Sequence, residues 1–165
     1  MTDPLHELFQ YHTWATLKLI DYCAELPPER LEETAPGTAG TIRETFAHLI
    51  GADSWYLLLM TYDDSIQIAN RSSLSLAELR AHFVKQSEVW ESVLDRLDEF
   101  DPTIPARGSD PELPHVRNLL LAQAIHHGND HRTHICSVLA ANGHQVPEFD
   151  VWMYWSETRE TEWTN

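Results

Sequence analysis

An all-α fold follows from three features of the sequence. Four long stretches place apolar residues at helical spacing, clusters of Pro and Gly separate them, and nothing alternates with period two for long enough to form a strand. Four amphipathic helices bury their stripes most simply by packing together as a four-helix bundle. The first helix opens at Asp3-Pro4, a capping residue followed by Pro at the first helical position. Its stripe runs through Leu5, Leu8, Phe9, His12, Thr16, Leu19 and Cys23, and Pro27-Pro28 ends it. A loop rich in Pro, Gly and Thr then leads to Gly40, with room for one short turn over 28–31.

The second helix starts at Thr41, with Glu44 at the spacing of a capping box. Its inner side carries Ile42, Thr45, His48, Leu49, Ala52, Trp55, Tyr56 and Leu59. The third starts at Ser75, again with Glu three residues on at Glu78, and runs to about residue 97 through Leu79, Phe83, Val84, Val89, Trp90 and Leu94. Residues 101–114 hold four prolines and a Gly-Ser-Asp turn, which marks a crossover loop between helices 3 and 4. The fourth helix covers about 115–142, with Gly143 as its stop. After Pro147 the aromatic run Val151-Trp152-Met153-Tyr154-Trp155 forms one short helix.

A chain of 165 residues without repeat, linker or charge block is expected to be one domain across 1–165. Eleven Lys and Arg against 26 Asp and Glu give a formal charge of −15, with the basic residues scattered singly. That surface repels a phosphate backbone, which argues against nucleic acid as a partner. No apolar run approaches the ~20 residues of a membrane span, and the N-terminus lacks the features of a signal peptide, so a cytoplasmic protein is expected. Cys23 and Cys136 read as two buried free thiols.

The ten histidines are the unusual feature, four of them lying between His126 and His134. His127 and His131 stand four residues apart, the spacing that puts two imidazoles on one helix face. Spacing alone is weak, since about 0.6 such pairs arise by chance at this histidine content. Location strengthens it. The stripe of helix 4 includes Leu120, Ala124, Ile135 and Val138, and the pair continues that line toward the interior, where an unpaired imidazole is costly. His134 is about 10 Å further along the axis than His127, so a third ligand comes more easily from a facing helix. His48 is the first candidate and His12 the second. The alternative is a set of hydrogen-bonded core histidines with no metal.

Other metal and nucleophile motifs are missing. No Glu follows the first His of the pair, no phosphate-binding Gly loop or Gly-x-Ser-x-Gly elbow occurs, and no Cys-x-x-Cys is present. The paired Glu-x-x-His motifs of a di-iron bundle are absent as well.

Four short motifs in order carry a resemblance across nearly the whole chain. They are Tyr11-His12-Thr13-Trp14-Ala15, the run from Thr41 to Leu49, His127 through Arg132, and Asp150-Val151-Trp152-Met153-Tyr154-Trp155. In these the sequence resembles the DinB/YfiT-like family of small bacterial metalloenzymes. The resemblance implies a four-helix bundle holding one divalent ion per chain, zinc or nickel, on His48, His127 and His131. Relatives often carry Gln where His134 stands here. Some use low-molecular-weight thiols as cosubstrates, and dimers are common.

Three neutral imidazoles leave a divalent ion an open position, as in catalytic sites. Together with what the resemblance implies, the expected function is a metal-dependent transferase that adds a low-molecular-weight thiol to an electrophilic small molecule, in a homodimer. A metal-dependent hydrolase and a non-catalytic metal-binding stress-response protein are the alternatives. Asp130 or His12 is a candidate to orient a ligand or move a proton. Trp14, Trp55, Tyr56 and Trp155 are candidates to wall the site, or simply core.

Overall fold

In the computed structural model, which describes residues 3–100, 103–104 and 115–159, the helices begin where the sequence supplies caps. Helix α1 spans Pro4–Ala24, and the Asp3 side chain accepts from the Leu5 amide. Helices α2 (Ile42–Thr61) and α3 (Leu76–Asp95) both start on complete capping boxes. Thr41 pairs with Glu44 and Ser75 with Glu78, so each box satisfies two amides that a helix start leaves free. Helix α4 covers Arg117–Ala141, after which Gly143 takes φ +80°, and α5 covers Val151–Arg159. Short 3₁₀ turns occupy Pro28–Glu32, Asp64–Ile66, Arg71–Ser73 and Leu97–Glu99.

One element has no counterpart in the sequence analysis. Strands β1 (Thr103–Ile104) and β2 (His115–Val116) form an antiparallel ladder, Thr103 opposite Val116 and Ile104 opposite His115. Two residues per strand are too few for a period-two pattern to register. The ladder ties the two ends of the α3–α4 connection together; the other residues of the 101–114 loop lie outside the described residues.

Helices α1 and α2 each pack on both α3 and α4, so α1 faces α2 across one diagonal of the bundle and α3 faces α4 across the other. Two core clusters give the directions. One joins Leu19 and Cys23 of α1, Ile42 and Ile50 of α2, Leu79 and Phe83 of α3, and Ile135 and Leu139 of α4. The other joins Phe9, Leu57, Met60, Trp90, Leu94, Leu120 and Ala124. Helices α2 and α3 therefore run one way and α1 and α4 the other. Parallel neighbours need a connection that travels the length of the bundle, and residues 62–75 make that return along α2.

Between the two clusters lies a belt of buried polar side chains: His12 and Thr16 of α1, Asp53 and Ser54 of α2, Gln86 of α3, and His131 and Arg132 of α4. Each of the four bundle helices α1–α4 contributes to it near its middle. Buried polar groups are tolerated when they bond to one another, and most of these do. Helix α5 folds back on α1, where Tyr154 packs its ring against Tyr11 and Trp14 at centroid distances of 5.8 and 5.5 Å. Trp152 remains 83% exposed. No helix among the described residues is long and apolar enough to cross a membrane.

Candidate metal centre

The antiparallel contact of α2 with α4 brings His48 to the pair His127 and His131 at the rim of the polar belt. The Nε2 atoms of His127 and His48 are 3.2 Å apart, and those of His131 and His127 are 3.0 Å apart. One ligand atom from each of the three rings lies within 4.8 Å of the others. Ring centroids are 4.3 to 5.1 Å apart, so the imidazoles surround a common point rather than stack.

The donor set fits a divalent ion. Nitrogens bonded at about 2.0–2.1 Å to a tetrahedral ion stand roughly 3.3 Å from one another, close to the two spacings here. No carboxylate joins the triad, so the frame is neutral when the rings are neutral. All three rings are held in that form. Burial pushes the His131 pKa down to about 4, with the neighbouring His127, His48 and His134 adding to the effect. His127 is lowered by burial and then by His48, and His48 is lowered by burial and then by the charge of Arg71. Neutral rings present free lone pairs at neutral pH. His131 is buried, His127 half-buried and His48 exposed, so one side of the triad opens to solvent. The Nδ1 atoms of His127 and His131 are buried without a hydrogen-bond partner among the described residues.

The DinB family profile matches residues 1–163. This chain belongs to the DinB family. A crystal structure of a DinB-like protein from Bacillus cereus aligns with a TM-score of 0.58 at 21% sequence identity, covering 84% of this chain and 90% of that one. At that identity the likeness supports the helical fold alone. No curated protein matches the chain.

The structure corrects several placements drawn from the sequence of this DinB-family protein. His48 is not on the inner face of α2. That face is formed by Phe46, Ile50, Asp53 and Leu57, while His48 and Trp55 are exposed. The polar Asp53 and Ser54 within it shifted the apparent stripe by one residue. Tyr56 does flank the site, its ring 5.9 Å from that of His127, whereas Trp14 packs on Tyr154, and Trp155 stacks under Arg159. His134 stands beside the triad with its ring 5.4 Å from His131. Asp130 is exposed. His144 is half-buried and bonded to Glu33 at 2.7 Å.

His12 does not join the triad, and both of its ring nitrogens are engaged elsewhere. Its Nε2 is 3.1 Å from Asp53 Oδ2 and its Nδ1 is 3.0 Å from Arg132 Nη1. Arg132 also donates to Thr16 Oγ1 at 2.8 Å and to Asn129 Oδ1 at 2.5 Å. Arg132 is 2% exposed, and burial pulls its pKa down to about 10, still charged at neutral pH. Gly128 makes this contact possible, because a Cβ there would fall 2.3 Å from His12 Cε1. Asp53 lies outside every motif, while Gly128 and Arg132 lie within the run from His127 to Arg132 but received no role of their own from it. Their signal is positional: Asp53 shares the i, i+4, i+7, i+11 line of Phe46, Ile50 and Leu57, so it is a charge on an apolar stripe. Concavities of about 390 Å³ beside Leu8 and Leu121 and about 430 Å³ beside Tyr11 and Phe149 contain no triad residue in their walls.

Proposed function

We propose that this protein is a metal-dependent enzyme that transfers a low-molecular-weight thiol to an electrophilic small molecule, with His48, His127 and His131 holding one divalent ion per chain. The observation that carries the proposal is the triad itself: three converging neutral imidazoles, no carboxylate, and one side open to solvent. Imidazole frames suit zinc or nickel among the common divalent ions. An ion bound there makes a coordinated thiol or water more acidic.

Thiol transfer asks little else of the protein. Sulfur forms a bond to the electrophilic carbon, the leaving group departs with its bonding pair, and the thiol proton passes to solvent. Hydrolysis needs a group that takes a proton from water and returns it to the leaving group. The two carboxylates whose charge reaches His127 are poorly suited to that role. Asp53 is fully buried against His12, and Asp130 is exposed to solvent. His48 on the open side leaves room for a substrate to approach.

The test combines zinc- or nickel-loaded protein with a panel of small thiols and an aryl halide acceptor, following thioether formation. Turnover that needs both metal and thiol and disappears in His48→Ala supports the proposal. Turnover of an ester without thiol would replace it with metal-dependent hydrolysis. Full metal content with no turnover on any pair would leave a metal-binding role without catalysis.

A further inference from the structure

The return connection after α2 brings a cation to the metal centre. Residues 62–75 run back along α2, and Asn70 at φ +52° turns the chain into the 3₁₀ turn Arg71–Ser73. This turn is pinned to the helix. Arg43 Nη1 donates to the Ser72 carbonyl at 2.7 Å while Arg43 Nε donates to Glu32 at 2.7 Å. The Arg71 side chain then lies across Gly51, where a Cβ would fall 2.3 Å from Nη1 and 2.5 Å from Cδ. Gly51 is three residues after His48, so the two share one face of α2, one turn apart.

Arg71 is exposed, and its guanidinium has no ion pair or hydrogen bond among the described residues. Most other cations here are engaged: Lys18, Arg30, Arg43, Arg80, Arg96 and Arg159 each have a carboxylate partner. A free guanidinium is unusual on a chain with a formal charge of −15. Beside a triad built to hold a cation it is also unfavourable, because the two positive charges repel. The arrangement becomes favourable when an anion spans both. Guanidinium is suited to that task, since its planar fork pairs with carboxylate through two parallel hydrogen bonds.

We propose that Arg71 is the recognition group for a carboxylate on the small molecule that binds at the triad. The ligand of this centre is then an organic acid whose metal-binding group and carboxylate are separated by a short spacer. The assignment rests on the metal-centre reading above and adds the substrate class to it. Arg71 acts as a specificity determinant, and Gly51 is the gap in α2 that lets it lie close to His48.

The experiment uses the full chain loaded with zinc, with metal content measured before any ligand is added. Two probes, 3-mercaptopropionate and 3-mercapto-1-propanol, are then titrated by calorimetry. Wild type is expected to bind the acid at least about tenfold more tightly than the alcohol. In Arg71→Ala that ratio falls to about one with the alcohol affinity unchanged, and Arg71→Lys keeps part of it. Gly51→Ala keeps every charge but displaces the guanidinium, so it lowers the ratio too. Equal binding of the two probes by zinc-loaded wild type would overturn the assignment and leave the metal centre standing. Equal weakening of both probes in Arg71→Ala and Arg71→Lys would also overturn it, by showing a structural role. Absence of zinc from wild type would overturn the centre first, and the assignment with it.

Discussion

His12 Nε2 lies 3.1 Å from Asp53 Oδ2 across a diagonal of the bundle, with both side chains sealed from solvent. The opposite ring nitrogen of His12 faces Arg132 Nη1 at 3.0 Å. Guanidinium nitrogens only donate, so Nδ1 must accept, and the ring carries its proton on Nε2 and donates it to Asp53. A neutral imidazole thus bridges a buried cation and a buried anion that share no direct ion pair. The other oxygen of Asp53, Oδ1, has no partner among the described residues.

Asp53→Asn should therefore be strongly destabilising despite its near-identical shape. It removes the anion that offsets Arg132 while leaving that cation buried, and breaking a buried pair from one side costs about 3–5 kcal/mol. Urea unfolding of the metal-free protein measures this. A loss below about 1 kcal/mol would show that Arg132 is compensated by the solvent or by other groups.

Gly128→Ala tests the close approach of His12 on α1 to α4. The added methyl would sit 2.4 Å from His12 Nδ1, a ring locked between Asp53 and Arg132 with no space to retreat. Overpacking of this kind costs about 1–3 kcal/mol, against which a helical Gly→Ala change returns only about 0.5–1 kcal/mol. A net drop in melting temperature is expected. An unchanged or raised value would mean that the helices separate freely here.

Among the histidines, only three substitutions should empty the centre. His48→Ala, His127→Ala and His131→Ala are expected to lower zinc from about one ion per chain to none by elemental analysis. His12→Ala and His134→Ala are expected to keep it. In wild type, free zinc at a hundred times its dissociation constant should raise stability by about 2.7 kcal/mol, and a chelator should remove that increment. A full complement of zinc in His131→Ala would exclude the triad.

The two thiols give a pH signature. Burial, with Cys136 adding to it, pushes the Cys23 pKa up to about 12, and burial pushes Cys136 up to about 11. Both values are raised on folding, so the stability they contribute is present below the unfolded thiol value of about 8.5 and is lost as pH rises toward 11–12. At pH 8 the native protein should resist alkylation of Cys23 and react at both sites once unfolded. Rapid labelling of native Cys23 would contradict its burial.

What the sequence made legible were features written in local chemistry. The capping residues Thr41, Glu44, Ser75 and Glu78 mark helix starts through short-range bonds, and each bond forms. His127 and His131 are brought onto one face by helical pitch, so their spacing together with their place on the stripe of helix 4 marked the pair. His48 was found as the third partner, but for the wrong reason, since it sits on the exposed side of α2. The belt around Asp53 and Arg132 was not legible by motif because its members come from all four bundle helices and meet only through packing. Arg71 was invisible for a similar reason: its position depends on the path of the 62–75 connection, and no periodicity records a path.

The polar belt also fixes how the helices align along their axes. A slip of α2 or α4 by one turn, about 5.4 Å, would carry Asp53 or Arg132 out of the belt and into the leucine layers above or below. Leucine against leucine tolerates such sliding, whereas a buried charge does not, so these few groups act as a registration key for an otherwise uniform interface. His48 and His131 lie on the same two helices, and the meeting of their rings inherits its accuracy from that key. The chain thereby brings its three imidazoles together through packing alone.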